Sequence, residues 1–278
     1  MRLVEHGDVS SFLSSAGPVF AAAEAENSLI WGIAQTLRDR PAQYPGGAWI
    51  ATIEDEDFTI GAALRTPPHR LVLTRLPPEA AGLLARRIEE LPGVVGPKET
   101  AEEFARLWSL RKGTPHRLGM AQRFYQLTRV EPVPPVPGRS RRAGADDAEA
   151  LLAWRRAYEA ELRMDGPLEE VCRRFRAEIE SGNVWLWEDG PRVSMAACVG
   201  ATPRGIRIGG VYTPPETRRR GYATALVAEV SRLRLAEGKA FCFLFTDLAN
   251  PTSNAIYQTI GYRPVCDFAE LRFGHSYS

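Results

Sequence analysis

Between Glu131 and Gly138 the chain reads EPVPPVPG, with prolines at 132, 134, 135 and 137. Proline has no amide hydrogen and fixes φ near −65°, so this stretch cannot lie inside a helix or a central strand, and it favours extended polyproline geometry. It divides 278 residues into two parts, each long enough to bury a core of its own. The expected organisation is a first domain at 1–131, a proline-rich linker at 132–138 and a second domain at 139–278.

Thirty-five Lys and Arg balance 34 Asp and Glu, for a net charge of +1. That balance argues against nucleic-acid binding by bulk charge but leaves room for a local basic pocket. Apolar runs such as Phe241–Phe245 are far shorter than the roughly 20 residues of a membrane span. Glu5 and Asp8 stand where a signal peptide needs its apolar stretch. Cys172, Cys198, Cys242 and Cys266 form no C-x-x-C and none is near a histidine, so reduced cysteines in a cytoplasmic protein, with no metal site, are expected.

The second half parses into elements. Helical spacing covers Ala148–Leu162 and Leu168–Glu180, with Asp146 or Asp147 as the first N-cap. Strands follow at Val184–Glu188, Arg192–Gly200 and Gly205–Tyr212, with an Asp189-Gly190 turn. A helix at Tyr222–Glu237, an apolar strand at Ala240–Phe245, a short helix at Thr252–Thr259 and strand from Tyr262 complete it. This order predicts an α/β (α+β) fold, a mixed and mostly antiparallel sheet flanked by helices. The first half repeats part of the pattern: Ala62–Ala80 and Ala197–Thr217 both read strand, turn, strand, then PPE, which suggests an internal duplication.

The stretch richest in chemistry is Val211-Tyr-Thr-Pro-Pro-Glu-Thr-Arg218-Arg219-Arg220-Gly221-Tyr222-Ala223-Thr224. A strand ends, a stiff turn follows, and a helix opens at a glycine. Unpaired amides at a helix start, with the positive end of its dipole, form an anion site, and three arginines adjoin it. A pyrophosphate suits this chemistry. The competing reading is an ordinary strand–helix turn with solvated arginines.

The run RRRGYA resembles the [QR]-x-x-G-x-[GA] signature of the GCN5-related N-acetyltransferase (GNAT) superfamily, with Arg218, Gly221 and Ala223 at its fixed positions. About 30 residues on, Asn250-x-x-Ser253-x-x-x-Tyr257 and then Gly261-Tyr262 are similar to its second signature. The resemblance covers about residues 139–273 and implies direct transfer of an acetyl group from acetyl-CoA to a primary amine of a small molecule or peptide. It implies that pantetheine pairs with the end of the Gly209–Thr213 strand (Val211, Tyr212, Thr213), that the diphosphate sits on the amides of Arg219 to Thr224, and that Arg218 also binds the cofactor. An amide near Val211 would polarise the thioester carbonyl. Tyr257 would donate to the leaving thiolate, and Asn250 and Ser253 would contact the cofactor, with Asn254 a weaker candidate. Asn250 has a competing reading as a helix cap, and Tyr257 as a core aromatic.

A lysine-like amine is roughly 4.6 kcal/mol from its neutral form at pH 7, so a base or a water chain is required. Glu161, Asp165, Asp247 and Glu270 are the candidate bases, with no choice among them. Trp154–Leu168 and Cys266–Phe273 are expected around the acceptor, although Trp154, Tyr158 and Met164 also read as core. After Pro77-Pro78-Glu79 the first half continues AAGLLARR, without arginine run or paired small residues. Tandem members with one degenerate copy are known in the superfamily, so the first half is expected to be a GNAT-like scaffold without acyl-CoA binding. Two rival functions stand beside this: an acetyl-CoA-binding regulator without turnover, and another acyl or aminoacyl transferase.

Overall fold

The computed structural model describes residues 1–162 and 167–274. Within them the chain forms two compact units. The first comprises Met1–Phe124, Thr246–Ala249 and Val265 onward, the second Tyr125–Phe245 and Asn250–Pro264. The division falls between Phe124 and Tyr125, so residues 132–138, expected as a linker, lie inside the second unit. No described helix is long and apolar enough to cross a membrane.

The first unit contains β1 (Arg2–Glu5), α1 (Val9–Ala22), α2 (Ser28–Asp39), β2 (Trp49–Asp55), β3 (Phe58–Arg65), β4 (Leu71–Leu73), α3 (Pro78–Arg87), β5 (Gly93–Pro97) and α4 (Lys98–Lys112). Most of β6 (His116–Leu127) belongs here too. In the second unit β7 (Arg139–Arg142), α5 (Ala148–Leu162), α6 (Leu168–Glu180), β8 (Val184–Glu188), β9 (Arg192–Val199), β10 (Gly205–Tyr212), α7 (Tyr222–Ala236), β11 (Phe241–Asp247) and α8 (Pro251–Ile260) follow. The last strand, β12 (Arg263–Phe273), starts in the second unit and continues in the first.

The pairing is the same in both. In β1-β2-β3-β4-β5 and in β7-β8-β9-β10-β11, three antiparallel contacts are followed by one parallel contact. Each parallel pair is bridged by a helix, α3 or α7, as parallel strands require. Each sheet is covered on both faces. Phe12, Phe20, Ile30 and Leu64 fill one face of the first unit and Leu84, Phe104, Trp108 and Val94 the other. In the second unit Leu151, Phe175 and Met195 fill one face and Ile208, Leu226 and Tyr262 the other. The mixed, mostly antiparallel α/β architecture read from the sequence is the one observed.

The proline segment is a packed strap of the second unit. Val130, Val133 and Val136 lie against its core. Glu131 donates its amide to the Ile260 carbonyl at 2.8 Å, and Trp187 Nε1 donates to the Pro137 carbonyl at 2.8 Å. The prolines cost this segment no hydrogen bonds because those it makes come from a non-proline amide and from carbonyls.

Asp147 does not cap α5 as expected. It sits in a 3-10 turn with its carboxylate accepting from the Gly144 amide at 2.8 Å, from Arg141 at 2.6 and 2.9 Å, and from Arg192 at 2.5 Å. Only 3 % of the side chain is exposed, and Arg141 is the main reason its pKa falls well below the ordinary aspartate range. A depressed folded-state value means that the stabilisation is complete above about pH 4 and is lost as pH falls through the folded-state value. Asp147→Asn is therefore expected to cost about 2–3 kcal/mol at pH 7, less than a wholly buried pair because the arginines are a third exposed. Urea midpoints from pH 7 to pH 2 should show that loss shrinking on acidification; a constant difference would assign the effect to packing.

Candidate functional site

The site is built where β10 parts from β11. Their parallel register runs only from Gly205↔Phe241 to Arg207↔Phe243. On the other edge of β10 the register with β9 shifts between Gly209 and Tyr212, where three steps along β10 match two along β9. The extra residue makes a bulge, and Gly210 takes a left-handed φ of 59° that a side chain would strain. The bulge resets the alternation: Ile206, Ile208 and Val211 face the α7 core, whereas Tyr212 turns into the α5/α6 core. Beyond Arg207 the β11-facing backbone edge of β10 is thus left open beside Val211. The pair Gly209-Gly210 inside a strand was the sequence signal for this bulge, and reading by motif alone passed over it.

The loop then carries the chain to α7. Pro215–Thr217 form one 3-10 turn, with Thr217 Oγ1 donating to the Val193 carbonyl at 3.1 Å. Arg219 and Gly221 adopt positive φ, 63° and 82°. Gly221 is the N-cap, has no side chain to bond the following amides, and no acidic residue occupies the first turn of α7. The amides of Tyr222, Ala223 and Thr224 precede the first helical bond, from the Ala225 amide to the Gly221 carbonyl. A Cβ on Gly221 would stand 2.9 Å from Val136 Cγ1, so the glycine is needed by the strap as well as by the turn.

The three arginines differ. Arg218 holds Glu161 in a bidentate pair at 2.7 and 2.9 Å, donates to the Thr213 carbonyl at 2.8 Å and lies over the Tyr212 ring at 5.7 Å. Its guanidinium braces the loop. Arg219 and Arg220 are exposed beside the helix start. Tyr212 contributes backbone rather than side chain, since its ring packs near Trp154 and Tyr158. Thr213 Oγ1 lies 2.9 Å from Ser194 Oγ. The Tyr222 hydroxyl donates to Asp189, which anchors the first turn of α7.

The second motif folds as α8. Asn250 caps it, accepting from the Ser253 amide at 3.0 Å. Asn254 donates to the Asn250 carbonyl at 2.7 Å and accepts from the Tyr125 hydroxyl at 2.9 Å. Both asparagines thus shape the helix start. Tyr257, two turns in, is 8 % exposed, with its ring 6.0 Å from that of Tyr262 and 6.5 Å from that of Tyr125. Its hydroxyl makes no hydrogen bond among the described residues, and burial pushes its pKa above the usual phenol range. That rise widens the gap to a thiol, so Tyr257 suits a hydrogen bond to a thiolate better than the partial proton transfer expected from unshifted values.

The candidate bases separate. Glu161 is committed to Arg218. Asp165, like Met164, lies outside the described residues. Asp247 and Glu270 belong to the first unit. There Asp247 accepts from the Ala249 amide at 2.8 Å, and Glu270 pairs with Arg70 and Arg272. A further carboxylate, outside those four candidates, is Glu159, 9 % exposed and paired with Arg155 at 2.5 Å. Arg155 Nη1 lies 3.3 Å from where a Cβ of Gly210 would be, which places this pair on the bulge. The Arg-x-x-x-Glu spacing was visible, but such i,i+4 pairs are ordinarily solvated.

The first unit has the same strand–helix step but closes it. Leu76, which follows β4, donates its amide to Thr100 Oγ1 at 3.0 Å, and Thr74 Oγ1 accepts from the Ala62 amide at 2.9 Å. Helix α3 opens on Pro77-Pro78 and carries Glu79 in its first turn, an acid where an anion would have to bind.

Residues 189–272 match the family model described as FR47-like protein. Three solved structures share the fold along nearly the whole of both chains. An acetyltransferase from the GNAT family of Colwellia psychrerythraea is 13 % identical with TM-score 0.59, covering 99 % of this chain and 100 % of its own. A GCN5-related N-acetyltransferase from Sphaerobacter thermophilus is 16 % identical with TM-score 0.62, covering 99 % and 97 %. A Drosophila protein is 16 % identical with TM-score 0.66, covering 97 % of each. No curated protein matches the sequence. The fold is thus shared over nearly the full length with structures named as GNAT-family and GCN5-related acetyltransferases, and the family match lies on the motif-bearing residues.

Proposed function

We propose that this protein is an N-acyltransferase that moves an acetyl group from acetyl-CoA to a primary amine by direct transfer, in the cytoplasm. The observation that carries the proposal is the open edge of β10 at its bulge beside an uncapped, acid-free start of α7. Those two features fit the two parts of the cosubstrate. The amides of Tyr222–Thr224 suit the diphosphate, with Arg219 and Arg220 at hand. The β10 edge suits the amide groups of the pantetheine arm, and an amide near Val211 suits the thioester carbonyl oxygen as it gains charge. The amine nitrogen forms a bond to the carbonyl carbon and the carbon–sulfur bond breaks. The amine proton leaves through a base or water, and the thiolate accepts a hydrogen bond from Tyr257. Asn250 and Ser253 act at this site through the start of α8. We assign the first unit as a copy without a cofactor site, on the ground of its internally bonded β4 end and Glu79. The four unpaired cysteines accord with a reducing compartment.

The test is calorimetric titration of the full chain with acetyl-CoA, followed by thiol-release assays with a panel of amines. Binding at one site per chain and amine-dependent thiol release are expected. Binding without release under any amine would favour a regulator that senses acetyl-CoA, and no binding at millimolar acetyl-CoA would remove the proposal.

A further inference from the structure

Arg207 is a cation that the proposed chemistry does not use. It stands on β10 between Ile206 and Ile208, whose side chains enter the α7 core, so its own side chain emerges on the opposite, α5/α6 face. On the α5/α6 side, Arg155 has Glu159 and Arg218 has Glu161, while Arg219 and Arg220 stand in solvent beside the α7 start. Arg207 has no carboxylate within 4 Å among the described residues. Its guanidinium instead lies over the Phe245 ring at 5.0 Å. Burial pushes its pKa down, as loss of water does for a cation. Two glycines border it. A Cβ on Gly200 would stand 3.6 Å from Cζ, and one on Gly209 3.9 Å from Nε. Tyr158, Arg155 and, beyond ion-pair distance, Glu178 are near enough for their charges to bear on it. Arg207 precedes Val211 by four residues, roughly 13 Å of extended strand, a span that its own side chain and a small ligand can bridge together.

We propose that Arg207 receives a carboxylate of the acceptor, so that the amine acetylated here belongs to an amino-acid-like molecule bearing a carboxylate a few bonds from its nitrogen. A guanidinium without an ion-paired carboxylate matches one carboxylate in charge and in its two-pronged geometry, whereas a dianionic phosphate would leave charge unmet. Phe245 supplies an apolar wall for the methylenes between the two ends. The inference rests on the acyltransfer reading above and specifies the acceptor of that site.

The test compares ω-amino acids of two to six carbons with alkylamines and aminoalkyl phosphates of equal length, in the full-length protein at saturating acetyl-CoA. At least one amino acid should exceed its alkylamine by about 10- to 100-fold in kcat/KM, the range of a charge-assisted hydrogen bond, chiefly through KM. In Arg207→Met the preference should fall to within about threefold, and Arg207→Lys should restore part of it, with acetyl-CoA affinity unchanged in both. Equal use of amino acids and alkylamines, preference for the phosphates, turnover of no amino acid, or a preference that survives Arg207→Met would each overturn the assignment. The unaltered protein decides the first three even if Arg207→Met fails to fold. Calorimetric acetyl-CoA binding by that protein keeps this failure distinct from failure of the acyltransfer reading.

Discussion

Ala223→Glu is expected to weaken acetyl-CoA binding by about 100-fold or more while leaving the thermal midpoint unchanged or slightly raised. The two effects have opposite electrostatic signs for one reason. Residue 223 is in the first turn of α7, where the helix has no acid and no side-chain cap. A carboxylate there complements the unpaired amides and the helix dipole, worth about 0.3–1 kcal/mol to the fold. The same carboxylate occupies the place of the diphosphate and repels it at a cost of several kcal/mol. Calorimetry and a melting curve on one sample check both halves. Full affinity with a raised midpoint would show that the diphosphate binds elsewhere. Gly221→Glu is a poorer probe, since the φ of 82° and Val136 at 2.9 Å would strain the turn itself.

Tyr257→Phe is expected to lower kcat by about 10- to 100-fold, the range for losing a hydrogen bond to a charged leaving group, with acetyl-CoA affinity within about threefold of the original. The ring fills the α7/α8 core against Tyr125 and Tyr262, and phenylalanine keeps that packing. The hydroxyl has no described partner to strand, so the midpoint should hold or rise slightly. Stopped assays of thiol release give kcat and calorimetry gives the affinity. An unchanged kcat would leave Tyr257 as a core aromatic alone. The raised phenol pKa adds a pH signature: the hydroxyl stays protonated throughout the assay range, so the loss should be the same at pH 7 and pH 9.

Much of this was legible in the residues. Helix and strand limits in the second half followed from periodicity and punctuation, since long periodic segments bury a defined face. The Gly221 turn was legible because few residues other than glycine tolerate its φ. What escaped depends on contacts between residues far apart in sequence. The proline strap reads as a linker until Val136 is seen against Gly221 and Trp187 against Pro137. Asp147 reads as a cap until Arg141 and Arg192 converge on it. Arg218 reads as an anion ligand until Glu161, 57 residues away, meets it. No local rule encodes such convergence, because spacing along the chain sets only which face a side chain takes, not what it meets there.

The passage of β12 into the first unit bears on how this chain is made. Phe268–Arg272 pair with Gly93–Pro97, so β5 has no neighbour on that edge until the ribosome has read some 170 codons past it. During synthesis the first unit must therefore wait with an apolar strand edge uncovered, the situation in which nascent chains associate wrongly. The second unit, whose β7–β11 ladder draws on one continuous stretch, can mature earlier despite being encoded later. The unit that emerges first therefore receives its last strand only when nearly the whole chain has been made.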